Sequence, residues 1–282
     1  MQIIRSVAEM QQCSSEQVRS GRRIGLVPTM GYLHEGHLSL VREARKQCDL
    51  VVVSIFVNPI QFGAGEDFEE YPRDLTRDCA LLEKEQVDVV FAPGVKDMYP
   101  EGYSTFVEVQ GEVAQKMCGA SRPGHFRGVT TVCSKLFHIC QPTLAFFGQK
   151  DAQQAIILEK MVRELNFPLQ IVRMPIVREA DGLAMSSRNV YLNPQQRQEA
   201  LVLSQSLRAA EQLIKDGERD PEKVRAFIKD IIETKPGAQI DYIEINRASD
   251  LASLDRIEGT VLIALAVKFG TTRLIDNLMV EV

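Results

Sequence analysis

The sequence lacks an excess of positive charge, a close cysteine pair and an apolar run long enough for a bilayer. Lysine and arginine number 33 against 38 aspartates and glutamates, a formal net charge of -5. That excludes the broad basic face a nucleic-acid partner needs, yet leaves room for a local pocket that takes a small anion. The six cysteines, Cys13, Cys48, Cys79, Cys118, Cys133 and Cys140, include no C-x-x-C pair. Neither a zinc knuckle nor a disulfide framework follows; the expectation is reduced, mostly buried thiols in a cytoplasmic protein. The longest apolar stretches, LVVVSIFV and VLIALAV, fall short of the roughly 20 residues a transmembrane helix requires, so no membrane partner is expected. The opening MQIIRSVAEMQQ has neither the apolar core nor the small-residue cleavage site of a signal peptide.

The chain has 282 residues, 45% hydrophobic and 25% charged, which is ordinary globular composition. Strand-like and helix-like segments alternate in its first part. RIGLVP, DLVVVSIFV, VDVVFAP, PTLAFFG and LQIVRMPIV read as strands, and HLSLVREARKQC, RDLTRDCALLEKEQ and AQQAIILEKMVREL as helices. This alternation predicts right-handed β-α-β units and an α/β fold, a Rossmann-like doubly wound parallel sheet. The character changes near Val177. A loop of small and polar residues gives way to two helical segments, Pro194 to Asp216 and Pro221 to Thr234, and then to three strand-like runs. Two domains follow: residues 1–176 as the Rossmann-like domain and 177–282 as a smaller C-terminal α+β domain.

Two of the four histidines, His34 and His37, lie where the first strand of this pattern turns into a helix, with Gly36 between them. The first turn of a helix leaves N–H groups unpaired and carries partial positive charge, a ready anion site. Two imidazoles beside it add donors for phosphate oxygens, and Gly36 leaves space for a flat base. The zinc-protease pattern H-E-x-x-H does not fit this spacing. After later strands come Lys150 and Asp151 in FGQKD, and Ser186, Ser187 and Arg188 in MSSRN. A lysine, two hydroxyls and an arginine suit a polyphosphate leaving group.

The pair H-x-G-H and M-S-S-R resembles the HIGH and KMSKS signatures of the nucleotidylyltransferase superfamily. PTMGYLHEGHLSLV, VSIFVNPIQFG, YPRDLTRD, RPGHFRGVTTVCSKLF, FGQKDAQQ and DGLAMSSRNVYL, in this order, resemble the pantothenate synthetase (pantoate–β-alanine ligase) family. Gln149 stands where that family commonly has glutamate, and Cys133 where an aliphatic residue is usual. The resemblance implies ATP-dependent joining of (R)-pantoate to β-alanine through pantoyl adenylate, giving pantothenate, AMP and pyrophosphate. It implies His34, His37, Lys150 and Arg188 as catalytic residues. Met30, Gly31, Tyr32, Leu33, His34, Glu35, Gly36 and His37 would hold ATP, as would Gly148, Gln149, Lys150, Asp151, Val177, Met185, Ser186, Ser187 and Arg188. Gln61 and Gln154 would hold pantoate, with Gln61 also meeting β-alanine, and Pro28, Met30 and Phe62 would offer an apolar wall. Mg²⁺ is expected mainly on the ATP phosphates, without protein ligands. The segment QFGAGEDFEEYPRD is expected to gate the site, the C-terminal domain to act as a lid, and the assembly to be a homodimer. The alternatives are a nucleotidylyltransferase of another small acid or phosphate, a class I aminoacyl-tRNA synthetase and a nucleotide sensor without turnover. The acidic charge opposes the second.

Overall fold

Residues 1–282 are described by a computed structural model. Six strands form one parallel sheet: β1 Gln2–Ile4, β2 Ile24–Thr29, β3 Leu50–Ile55, β4 Val89–Phe91, β5 Leu144–Gly148 and β6 Gln170–Met174. Their order is β1-β4-β3-β2-β5-β6. A second sheet, β7 Ala238–Arg247, β8 Thr260–Phe269 and β9 Thr272–Glu281, is antiparallel. The helices are α1 Val7–Arg19, α2 Glu35–Gln47, α3 Leu75–Lys84, α4 Val95–Met98, α5 Glu112–Gln115, α6 Cys118–Ser121, α7 His125–Cys140, α8 Ala152–Glu164, α9 Pro194–Glu199, α10 Val202–Lys215 and α11 Pro221–Glu233. No helix is long and apolar enough to cross a membrane. All six cysteines are free thiols.

Two compact units result. The first comprises Met1–Gln110, Arg122–Gly148 and Gln154–Pro175; the second comprises Gly111–Ser121, Gln149–Gln153 and Ile176–Val282. A single boundary at 177 omits the two short earlier segments of the second unit, one of which carries Lys150.

In the first unit the four central strands, β2 to β5, are buried on both faces, which is why their sequences read as unbroken apolar runs. Successive residues alternate between two cores. Ile24, Leu26, Val52, Phe91 and Phe147 pack with Met10 of α1 and with Val129, Val132 and Leu136 of α7. Val27, Val51, Val53, Val90 and Phe146 pack with Val41 and Ala44 of α2 and Leu82 of α3. The chain runs outward from β2 through β3 to β4, then returns to place β5 on the other side of β2. That reversal between β2 and β5 is where ligands settle on such sheets, beyond the carboxyl ends of the strands.

The second unit builds its core from Val202, Leu203 and Leu207 of α10, Val224 and Ile228 of α11, and Val261, Ile263 and Leu265 of β8. Three details depart from the sequence reading. The segment Pro194–Asp216 is broken into α9 and α10 at Ala200 and Leu201. β6 stops at Met174, because Pro175 has no N–H to continue the ladder. And α1, α7 and β1 are additional elements.

Phe146 is fully buried on β5. Phe146→Ala should destabilise the protein by about 3–5 kcal/mol through lost contacts and a residual cavity. Urea unfolding followed by circular dichroism measures this.

Candidate active site

The loop after β2 turns sharply before α2 starts. Thr29 Oγ1 donates to Ser54 O at 2.8 Å and accepts from Gly31 N at 3.2 Å. Gly31 (φ 83°) and Tyr32 (φ 50°) are both left-handed. Tyr32 carries a cost of about 1–2 kcal/mol there, and such a residue persists only where its surroundings fix it. Asp78 on α3 does so. Its Oδ2 accepts from Tyr32 N and its Oδ1 from Leu33 N, each at 2.7 Å. Arg77 donates from Nη2 to Leu33 O at 2.9 Å and lays its guanidinium 4.9 Å from the Tyr32 ring centroid. Asp78 is fully buried. Burial pushes its carboxyl above the usual aspartate range, although both N–H donors and Arg77 pull the other way.

Held in this way, the loop delivers His34 as the N-cap of α2. His34 Nδ1 accepts from Gly36 N at 3.1 Å, and His37 Nδ1 accepts from His34 N at 3.3 Å. The rings lie 4.0 Å apart. This network assigns the proton of each neutral imidazole to Nε2. Both rings are thereby fixed with their N–H on Nε2, beside the positive end of α2, where an anion is favoured. Leu33 is fully buried, and its N–H and C=O are taken by Asp78 and Arg77. The Glu35 carboxylate is engaged by Arg42, which also binds Glu85.

After β3, a single 3-10 turn, Pro59–Gln61, presents Gln61. Asn58, buried beneath it, donates from Nδ2 to Gln61 Oε1 at 3.0 Å and to Gly128 O at 3.1 Å. Tyr99 Oη donates to Asn58 Oδ1 at 2.8 Å. Burial raises the Tyr99 hydroxyl well above the usual phenol range, so it stays a donor. With Oε1 occupied, the Gln61 amide turns its Nε2–H pair outward; one contact is the Met30 sulfur at 3.1 Å. These are donors suited to a carboxylate. The backbone of α7 comes so close that a Cβ on Gly128 would lie 2.5 Å from Ile60 O and 2.6 Å from Gln61 Cα. His125 Nδ1 donates to Gln61 O at 2.9 Å, while its Nε2 accepts from Arg122 Nη1 at 3.0 Å. Arg122 forks onto Glu66 at 2.7 and 2.6 Å, tying down the segment after Gly63. Burial alone would raise the Glu66 carboxyl; the Arg122 guanidinium outweighs it and holds the group below the usual glutamate range. Phe62 packs its ring on Phe68 and Tyr71 of the same segment. Pro28 and Gln154 are half-buried, Pro28 within β2 and Gln154 in the first turn of α8.

β5 ends at Gly148, and Gln149–Asp151 form a 3-10 turn. In the second unit this turn meets β9, where Asn277 Nδ2 donates to Gln149 O at 3.0 Å and to Lys150 O at 2.9 Å. Gln149, being an amide, donates in return to Asn277 Oδ1 at 3.2 Å, which a carboxylate at that position could not do. The MSSRN loop is the continuation of a tight turn: Met185 N donates to Val177 O at 3.0 Å, and Arg178 bridges Ala184. Ser186 caps the following 3-10 turn by accepting from Arg188 N at 3.2 Å. Ser187 is buried, while Lys150, Ser186 and Arg188 are half-buried.

A model of the family described as pantoate-beta-alanine ligase matches residues 2–279. The chain belongs to this family. A pantothenate synthetase from Syntrophomonas wolfei is 67% identical over 282 residues, covering all of both chains. A crystal structure of pantothenate synthetase from Thermus thermophilus superposes with a TM-score of 0.94 at 45% identity, covering 99% of each chain. One of a Francisella tularensis pantoate-beta-alanine ligase, described as complexed with beta-gamma ATP and beta-alanine, has a TM-score of 0.81 at 33% identity, covering 99% of this chain and 97% of that one. The chain is therefore a pantoate–β-alanine ligase, joining the two substrates through a carbon–nitrogen bond.

Within that ligase frame, several residues that organise the site carry no function in the sequence reading: Asn58, Asp78, Gly128, Asp276 and Asn277. Three of them lay in motifs already singled out. Asn58 precedes Pro59 and Gln61 in VNPIQFG, Asp78 closes YPRDLTRD, and Gly128 follows RPGHFR. A polar residue before a proline and a glycine within a helical stretch were the available signals.

Gly128→Ala should force the Pro59–Gln61 turn away from α7. Displacing a positioned group by about 1 Å costs on the order of 10²-fold in rate, and the loss should appear in kcat/KM for pantoate. Steady-state assays of pantothenate formation check this, with circular dichroism to verify folding.

Proposed function

We propose that the ligation runs through ATP and a pantoyl adenylate. The observation that carries this reading is the pair of imidazoles at the start of α2, whose Nδ1 atoms accept from His34 N and Gly36 N and so fix both rings beside the helix N-terminus. The ATP and β-alanine named for the Francisella relative support it. In the first step the pantoate carboxylate attacks the α-phosphorus and pyrophosphate leaves. Negative charge grows on the departing oxygens, and fixed donors aimed there lower the barrier. His34, His37, Lys150, Ser186, Ser187 and Arg188 fill that role. The residues around them, Met30 to Gly36, Gly148, Gln149, Asp151, Val177 and Met185, bind the nucleotide. In the second step the β-alanine amine attacks the acyl carbon and AMP leaves.

Gln61 and Gln154 hold pantoate, and Gln61 also meets β-alanine. An arginine in place of these amides would stabilise the carboxylate before reaction, and binding equal in ground and transition states does not raise kcat. The segment after Gly63 acts as a gate that limits hydrolysis of the adenylate, and the C-terminal part, residues 177–282, acts as a lid. No group of three or more His, Cys, Asp or Glu side chains gathers to hold a metal ion. Mg²⁺ would be held mainly by the nucleotide's own phosphate oxygens, where it would supply neutralisation of phosphate charge. Homodimeric assembly and cytoplasmic location rest on the family resemblance.

Pantoate and ATP without β-alanine should support exchange of labelled pyrophosphate into ATP, and a stoichiometric burst of pyrophosphate. His37→Ala and Lys150→Ala should each lower that exchange on the order of 10²-fold, as for loss of a preorganised oxyanion donor. Pyrophosphate that appears only when β-alanine is present would overturn the two-step route.

A further inference from the structure

Asp276 and Asn277 are neighbours on β9, and consecutive strand residues point to opposite faces of a sheet. Both are buried, at 2% and 3% exposure. Neither has a part in the mechanism above. Yet each side chain reaches one of the two motif segments of the second unit, segments that are far apart in sequence.

Asn277 holds the first. One amide group makes three hydrogen bonds to the Gln149–Asp151 turn, two as donor to consecutive carbonyls and one as acceptor from the Gln149 side chain. A 3-10 turn of three residues has almost no internal ladder to fix it. The Asn277 amide therefore determines where the Lys150 side chain leaves the backbone.

Asp276 holds the second. Its two oxygens take the Arg178 guanidinium in a fork, Nη1 to Oδ2 at 2.6 Å and Nη2 to Oδ1 at 2.9 Å. Arg178 Nη1 also donates to Gly182 O at 3.0 Å, closing the turn from Arg178 to Ala184. The arm leaving that turn runs through Met185 directly into Ser186, Ser187 and Arg188. Asp276 Oδ1 accepts from Asn277 N at 2.8 Å, so the two anchors share one peptide. Apolar residues at these buried strand positions would avoid the cost of desolvating an amide and a carboxylate. Apolar side chains could not grip two backbone turns at once.

We propose that Asp276 and Asn277 are positioning residues for the phosphate clamp, through which one strand sets the Lys150 turn and the Ser186–Arg188 loop together. This rests on the reading of Lys150 and Ser186–Arg188 as the leaving-group clamp.

The test separates the two half-reactions in the full-length enzyme. Pantoate-dependent exchange of pyrophosphate into ATP reports the first; consumption of supplied pantoyl adenylate by β-alanine reports the second. Asn277→Ala and Asp276→Asn should lower exchange on the order of 10²-fold, the cost of misplacing a catalytic group. The ATP KM should change far less than exchange, by about 3-fold, because the charge the clamp faces grows toward the transition state. The second half-reaction should likewise change less than about 3-fold, since the clamp has no part in it. Asn277→Asp keeps the size and the acceptor for Gln149 but turns a carboxylate oxygen on the two carbonyls that Nδ2 held; it should reproduce the selective loss if the alanine variant fails to fold. Equal loss in both half-reactions, or exchange that survives in folded variants, would overturn the proposal and leave the pair a plain structural contact. Lys150→Ala and Arg188→Ala in the same assay test the underlying reading: full exchange in those two would overturn the clamp and this inference with it.

Discussion

A buried carboxylate holds up the first turn of α2. Asp78 grips two successive N–H groups, and on that grip depend the left-handed Tyr32, the entry of His34 as N-cap and the mutual hydrogen bonds of the two imidazoles. The helix cannot set this loop from its own side, because its first N–H groups have no intrahelical partners. The carboxylate also explains the spacing between motifs. PTMGYLHEGH and YPRDLTRD are separate in sequence, yet the last residue of the second closes the turn of the first. Arg77 completes the grip by donating to the Leu33 carbonyl, so Leu33 is held by both its N–H and its C=O.

The same division of labour recurs at each cluster of motif residues. A nearly inaccessible polar group fixes the backbone, and a half-buried residue beside it faces outward. Asn58 stands to Gln61 as Asp78 stands to His34, and Asn277 stands to Lys150 in the same way. The physical reason is entropic as well as geometric. A long side chain on a loop loses rotamer and backbone freedom when it acts. An anchor that has already removed part of that freedom leaves less to lose at the moment of reaction.

The centre of the sheet was legible in the sequence because β2 to β5 are buried on both faces and so read as continuous apolar runs. The loops H-x-G-H, FGQKD and MSSRN were legible because their residue types are unusual together. The two helices on one face of the sheet were harder to see. Almost every residue of α7 is buried, so it lacks the polar stripe that marks a surface helix. α1 shows only Met10 and Ser14 buried along 13 residues, too weak an apolar stripe to count as periodic. The anchors were illegible for a different reason. Asp78 in an acidic helix turn, and Asp276 and Asn277 in a strand otherwise rich in leucine and isoleucine, look from sequence like solvent-facing residues. Only the fold shows that they point inward, and burial of a polar group without a partner is costly enough that the partner becomes the finding.

Charge is distributed on the same logic. The chain is acidic overall, and a polyanionic nucleotide gains nothing from its long-range field. Attraction has to come from short-range donors. At the start of α2 these are neutral imidazoles and backbone N–H groups, and at Gln61 an amide whose oxygen is already occupied by Asn58. Neutral donors orient an anion without holding it as tightly as a full ion pair would. Full positive charge is carried instead by Lys150 and Arg188, residues placed on separately anchored turns. On the proposed route, those two cations face a leaving group whose negative charge grows as pyrophosphate departs, so their attraction to it is stronger in the transition state than in bound ATP.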